Sequence, residues 1–157
     1  MSAVEDRLAE LGLLVPDVAM PVAAYLPAVR DGNHIFTSGQ LPMVSGALAA
    51  TGKVGAGPGL VSAQDAERLA QICALNAIAA VKALIGDLDK VTRVIKVVGF
   101  VASDPAFTGQ PGVVNGASAL LGAAFGDAGV HARSAVGVAV LPLDAPVEVE
   151  ILVSVQD

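Results

Sequence analysis

The run 62-SAQDAERLAQICALNAIAAVKALIGDLDKVTRVIKVVGFVA-102 changes period half-way, and that change decides the fold. In its first half, Leu69, Ile72, Cys73, Ala77, Ala80 and Leu84 recur at spacings of three and four, which draws one apolar stripe along a helix of about 22 residues. Ser62 is placed to cap the free amides of the first turn, Asp65 stands at the acidic position of a capping box, and Gly86 suits the left-handed residue beyond the last turn. From Val91 to Ala102 the pattern turns β-branched and becomes apolar at both parities towards its end, as expected of a central strand covered on both faces.

Reading outward, Tyr25–Val29 and His34–Ser38 form a hairpin pattern around Asp31-Gly32-Asn33, a cluster that favours a tight turn. Before it, Glu5–Leu14 sets Leu8, Leu11 and Val15 on one face of a short leading helix that Pro16 stops. Gly52–Gly59 is a glycine-rich loop. Downstream, Val113–Phe125 carries Val113, Val114, Ala117, Leu120, Leu121 and Ala124 on the buried side of a second helix ending at Gly126. Two further strands, Arg133–Leu141 and Val147–Val155, are separated by Pro142 and Pro146. The order β-β-α-β-α-β-β contains adjacent strands as well as alternation, so the expectation is an α+β layer of two helices on one mixed sheet.

A chain of 157 residues suits one domain. Only 15% of residues are charged against 54% hydrophobic, too little charge to coat a monomer, which points to surface buried against further copies. A net charge of −6 and nine scattered basic residues argue against a nucleic-acid partner, and one Tyr, four Phe and no Trp leave little for base stacking. Lone Cys73 makes no internal disulfide, and two histidines without ligand spacing suggest no metal. Asn76 and Lys82 interrupt the richest apolar stretch, and the acidic amino end lacks the pattern of a secretory leader. The expectation is a soluble, cytoplasmic protein in a reducing compartment.

Several motifs resolve into ordinary structure. Gly55-Ala56-Gly57-Pro58-Gly59 lacks the spacing of a dinucleotide fingerprint and the Gly-Lys-Ser/Thr end of a triphosphate loop. Cys73 falls on the helix stripe, where a thiol is buried and inert. His34 and His131 belong to no triad motif and read as polar groups at strand or turn edges. Arg133 opens an apolar strand, while Glu148 shares its parity with Glu150, so that one side of the last strand is charged. Spacing alone is satisfied by acids facing solvent.

The run Tyr25-Leu-Pro-Ala-Val-Arg-Asp-Gly-Asn-His-Ile-Phe-Thr-Ser38-Gly39-Gln40-Leu41-Pro42 resembles the first hairpin of the RidA/YjgF family. His131-Ala-Arg133-Ser-Ala-Val-Gly-Val-Ala-Val-Leu141-Pro142 with Val147-Glu148-Val149-Glu150 resembles its carboxyl-terminal signature, and Phe100-Val101 with Asn115 resembles its central strand and second helix. The likeness spans about residues 25 to 155, leaving 1–24 as an amino-terminal extension to a domain at 25–157. It implies a chorismate-mutase-like fold, a homotrimer with a central barrel, and pockets between subunits that hydrolyse 2-imino or 2-enamino acids to 2-oxo acids and ammonia without a cofactor or metal. In those terms Arg133 anchors the substrate carboxylate through two parallel hydrogen bonds. Glu148 orients and deprotonates water, and Tyr25, Ser38, Gly39 and Asn115 line the pocket.

The sequence departs from the family pattern at Ala135, where many deaminases have cysteine, and at Gly137, which replaces a bulkier, often acidic residue. Ala23-Ala24 replaces a common Gly-Pro, and 103–112 is longer than in compact members. These changes imply a roomier or differently polar pocket. The competing reading is a non-catalytic trimer that binds a small carboxylate metabolite; a third, ribonuclease or translation inhibitor, conflicts with the acidic charge balance.

Overall fold

The computed structural model describes residues 1–18 and 23–157. Four residues of the leading segment, 19–22, lie outside the described part. Chain order is α1 (Ala3–Glu10), β1 (Ala28–Asp31), β2 (His34–Thr37), β3 (Met43–Val44), β4 (Ala47–Leu48), α2 (Ala63–Ile85), β5 (Val91–Ala102), α3 (Gln110–Phe125), β6 (Ala132–Val138) and β7 (Val147–Val155). The principal sheet runs β1-β2-β7-β5-β6; β5 and β6 are parallel, and the other pairs are antiparallel. This is the expected α+β arrangement of a mixed sheet with its helices, and β3–β4 adds a small separate hairpin that the sequence reading did not include.

Ser62 caps α2 by accepting from the Asp65 amide, and Gly86 closes it at φ 77°. Leu69, Cys73, Ala77 and Ala80 are buried as the periodicity requires, whereas Leu84 is 44% exposed, because it falls on the last turn where the stripe runs past the sheet. By length and composition alone α2 could cross a bilayer, Asn76 and Lys82 notwithstanding. Its stripe is instead occupied by the sheet and by α3.

α3 starts at Gln110, three residues earlier than expected, since Pro111 is tolerated in the first turn where its missing N–H has no partner to lose. The two helices approach closely: a Cβ on Gly116 would stand 1.9 Å from the Glu67 carbonyl oxygen. Likewise Gly99 lets Val114 sit against β5, where an added Cβ would come within 2.4 Å.

Three further elements differ in extent for physical reasons. α1 begins at Ala3 on a Ser2–Glu5 capping box and ends at Glu10, before Gly12 at φ 74°, so Pro16 is not what stops it. Val4 and Leu8 enter the core, and Leu11 is exposed. β1 starts at Ala28 rather than Tyr25, after Pro27, which has no N–H for the ladder. β6 ends at Val138 rather than Leu141, because its partner β5 runs out at Ala102.

β5 lies between β7 and β6, but a single chain covers it on one face only. Val91, Val94, Val97 and Val101 are buried beneath the helices, while Lys96, Val98 and Phe100 are partly open on the other side. That open face is largely apolar: Phe36 and Val136 are each 45% exposed, and the registers Phe36↔Leu152 and Phe100↔Val136 place these side chains with Val98 on it.

Candidate functional site

Register fixes where Arg133 and Glu148 point. Arg133 pairs with Val97, which is fully buried beneath the helices, and Glu148 pairs with Phe100 on the open face. Directly registered residues share a face, and positions three apart on a strand do not. Within one chain the two side chains therefore lie on opposite faces of the sheet and are not brought together.

On the helix face, at the edge strand β6, the Arg133 guanidinium is held by α3. Nη1 donates to Asn115 Oδ1 at 2.8 Å and to Ser118 Oγ at 3.3 Å, and Nη2 donates to the Pro111 carbonyl at 3.2 Å. A guanidinium has five N–H donors. Among the described residues, Nε–H and one Nη2–H have no partner, and these neighbours on one edge are spaced to take both oxygens of a carboxylate.

On the open face, Glu148 lies against Gly39. The backbone bridge Gln40–Val149, with N–O distances of 2.8 and 3.0 Å, carries the Ser38-Gly39 turn along β7. A Cβ on Gly39 would sit 1.8 Å from Glu148 Oε1, so only glycine leaves room for the carboxyl group. Burial, and then the charge of Glu150, raise the Glu148 pKa from its ordinary value. Ser38 Oγ donates to the Leu26 carbonyl at 2.6 Å, which ties the turn to the segment carrying Tyr25, itself 57% exposed.

The residues singled out from sequence thus fall into two groups: Arg133 with Asn115, and Glu148 with Gly39, Ser38 and, through Leu26, Tyr25. Sequence reading did not connect Ser118 or the Pro111 carbonyl to Arg133. The available signal was the three-residue spacing of Asn115 and Ser118 on one helix face.

Two departures noted in the sequence explain each other. A Cβ on Gly137 would meet Gln110 Nε2 at 2.8 Å and Ser103 Oγ at 3.1 Å. Gln110 in turn donates to Ser103 Oγ and to the Phe107 carbonyl. The 103–112 segment therefore delivers a glutamine into the space that a side chain at 137 would occupy. Cys73 is fully buried with Sγ 3.6 Å from the Val147 carbonyl, and burial pushes its pKa well up, which leaves an inert thiol.

The family model described as "YjgF/chorismate_mutase-like, putative endoribonuclease" matches residues 5–155. Protein TCP17 of Trypanosoma cruzi is 43% identical over 155 residues, 98% of this chain and 95% of that protein. The structure of Atu1372 from Agrobacterium tumefaciens is 46% identical with a TM-score of 0.89, covering 98% of this chain and 93% of the other. E. coli TdcF, solved with bound serine, shares the fold at a TM-score of 0.63 and 24% identity, over 89% of this chain and 94% of its own. A sheet of this topology, with matches of this extent and identity, places the chain in the YjgF/chorismate-mutase-like family.

Proposed function

We propose that copies of this chain assemble as a closed ring, a homotrimer, in which Arg133 and Asn115 of one protomer face Glu148, Gly39 and Ser38 of the next, and that each composite cleft hydrolyses a 2-imino or 2-enamino acid. The observation that carries this reading is the division of labour between the two faces. One face presents a braced guanidinium with a free bidentate edge, and the other presents a half-buried carboxyl whose pKa is raised by burial and by Glu150, which strengthens it as a proton acceptor. Neither group completes a site alone. The uncovered apolar face and the unpaired edge of β6 supply surfaces for a further copy, and serine bound to TdcF is a small carboxylate of the right class.

The chemistry balances without a covalent intermediate on the protein. The substrate carboxylate binds the Nε–Nη2 edge of Arg133. Glu148, as carboxylate, takes a proton from a water whose oxygen bonds to the imine carbon, and the C=N electron pair moves to nitrogen. The acid so formed returns its proton to nitrogen, giving the carbinolamine; the carboxylate then takes the remaining hydroxyl proton and passes it to nitrogen as the C–N bond breaks, so that ammonia leaves and the C=O of the 2-oxo acid forms. A general acid–base group of this kind contributes about 10²- to 10⁴-fold.

Subunit complementation tests the proposal. Arg133→Ala and Glu148→Gln are each expected to be inactive in a coupled assay that generates 2-iminobutanoate and follows its trapping by semicarbazide. Unfolded and refolded together in equal amounts, the two variants should regain activity, because about a quarter of the interfaces in a random heterologous ring then pair an intact arginine with an intact glutamate. Mixtures as inactive as their components, with mixed assembly verified by mass, would refute the shared site.

A further inference from the structure

Arg133 is braced by a chain of hydrogen bonds that continues past its first partners. Ser118 Oγ, which accepts from Nη1 at 3.3 Å, lies 2.9 Å from His131 Nε2, and His131 Nδ1 lies 2.6 Å from the Gly129 carbonyl. The directions of these bonds follow from what each atom can do. A carbonyl oxygen only accepts, so Nδ1 carries the imidazole proton and donates to Gly129. Nε2 of the neutral ring is then an acceptor, and Ser118 must spend its single O–H on it. The lone pairs of that oxygen are thereby turned towards Arg133 Nη1. Every donor in the sequence Arg133, Ser118, His131 points the same way and ends on backbone.

We infer that Ser118 and His131 are positioning residues that hold the Arg133 guanidinium with its Nε–Nη2 edge outward, in the orientation that receives a carboxylate. The inference rests on the carboxylate-anchoring role proposed for Arg133 and adds the device that sets its direction. Asn115 and Ser118 occupy both donors of Nη1, and Pro111 takes one of Nη2, so rotation of the guanidinium about its long axis breaks three bonds together. Without Ser118 the group keeps only Asn115 and Pro111. Without an acceptor at the Nε2 position, the Ser118 hydroxyl is free to swing, and its lone pairs lose their fixed aim. The short separation of the parts in sequence makes this a local device: His131 enters β6 two residues before Arg133, and Ser118 lies one helical turn beyond Asn115.

The experiment reads the guanidinium directly and the ligand separately. In ¹⁵N-correlated spectra of the assembled protein, with the Arg133 signals assigned by their loss in Arg133→Lys, the wild type is expected to show distinct, slowly exchanging Nη1 and Nη2 resonances. Ser118→Ala, which suits a helix and should fold, and His131→Leu should merge them. His131→Gln, whose Oε1 can accept where Nε2 did, should restore them. Pyruvate, used as a stable 2-oxo acid probe, should bind Ser118→Ala and His131→Leu about tenfold more weakly than wild type, as expected for one hydrogen bond to a charged group, with His131→Gln near wild type. Arg133 resonances unchanged in Ser118→Ala and His131→Leu would overturn the inference, as would His131→Gln failing to improve on His131→Leu in a folded protein. Distinct resonances that merge as expected, in a protein that binds no pyruvate, would uphold the brace and instead refute the carboxylate-binding role of Arg133.

Discussion

Gly39→Ala separates the proposed catalytic geometry from the fold. The new methyl carbon would lie 1.8 Å from Glu148 Oε1 and 2.7 Å from its Cδ, so the carboxyl must retreat about 1.6 Å to reach an ordinary contact of 3.4 Å. The backbone has little freedom to give way instead, because Gln40 is bonded to Val149 in both directions, at 2.8 and 3.0 Å. Gly39 is not among the residues at positive φ, so alanine imposes no backbone strain. Glu148 is half-buried and can rotate outward, at about 0.5 to 1.5 kcal/mol if forced off a rotamer. The expected outcome is a loss of stability near 1 kcal/mol against a loss of imine hydrolysis of about 10²-fold, the usual cost of an ångström-scale misplacement of a reacting group. Chemical denaturation measures the first and the semicarbazide-coupled assay the second. Glu148→Asp in the Gly39→Ala background shortens the acid by one carbon, so the double variant should recover the lost stability but not the rate. A Gly39→Ala protein that turns over at the wild-type rate would refute the placement of Glu148 as the proton-transfer group.

Glu148→Gln should be more stable than wild type at neutral pH and equal to it in acid. The folded-state pKa is raised, so the stability associated with the protonated group is fully present below the unfolded value and is lost as pH rises through the folded one; thermal melts across pH check this. Glu5 has the opposite sign: its hydrogen bond to Lys82 lowers its pKa from 4.5 to about 2, so that its contribution, present above the ordinary value, disappears as pH falls through that range. Lys82→Met should flatten this acid limb and lose on the order of 1 kcal/mol at neutral pH. Gly116→Ala should destabilise by roughly 3 kcal/mol in urea titration despite alanine's better helix propensity, because the methyl group meets the Glu67 carbonyl oxygen at 1.9 Å; a stabilised variant would show that the helices do not meet there.

Elements governed by local pattern were legible from sequence. α2 has both caps and an unbroken stripe, and the hairpin has Gly32 at φ 56°, so these follow from the chain itself. The Ser2–Glu5 capping box is equally local and starts the leading helix at Ala3, two residues ahead of where apolar spacing alone places it. Strand ends were less legible, since β6 stops where a partner far away in sequence stops. Parity correctly put Glu148 and Glu150 on one side of β7, but it could not say that Arg133 lay on the other face, because that depends on the β5 register shared by two strands that do not touch. Nor does spacing reveal that Gln110 fills the room beside Gly137, a contact set by how α3 meets the edge strand.

Placing the arginine and the glutamate on opposite faces has a consequence for how activity scales. If each protomer owns halves of two different sites and the whole of none, dilution alone disables the protein while every chain stays folded. Specific activity would then depend on total concentration, with a rate law of higher than first order in protein below the association threshold. Cellular abundance would set not only how much catalyst is present but whether any exists.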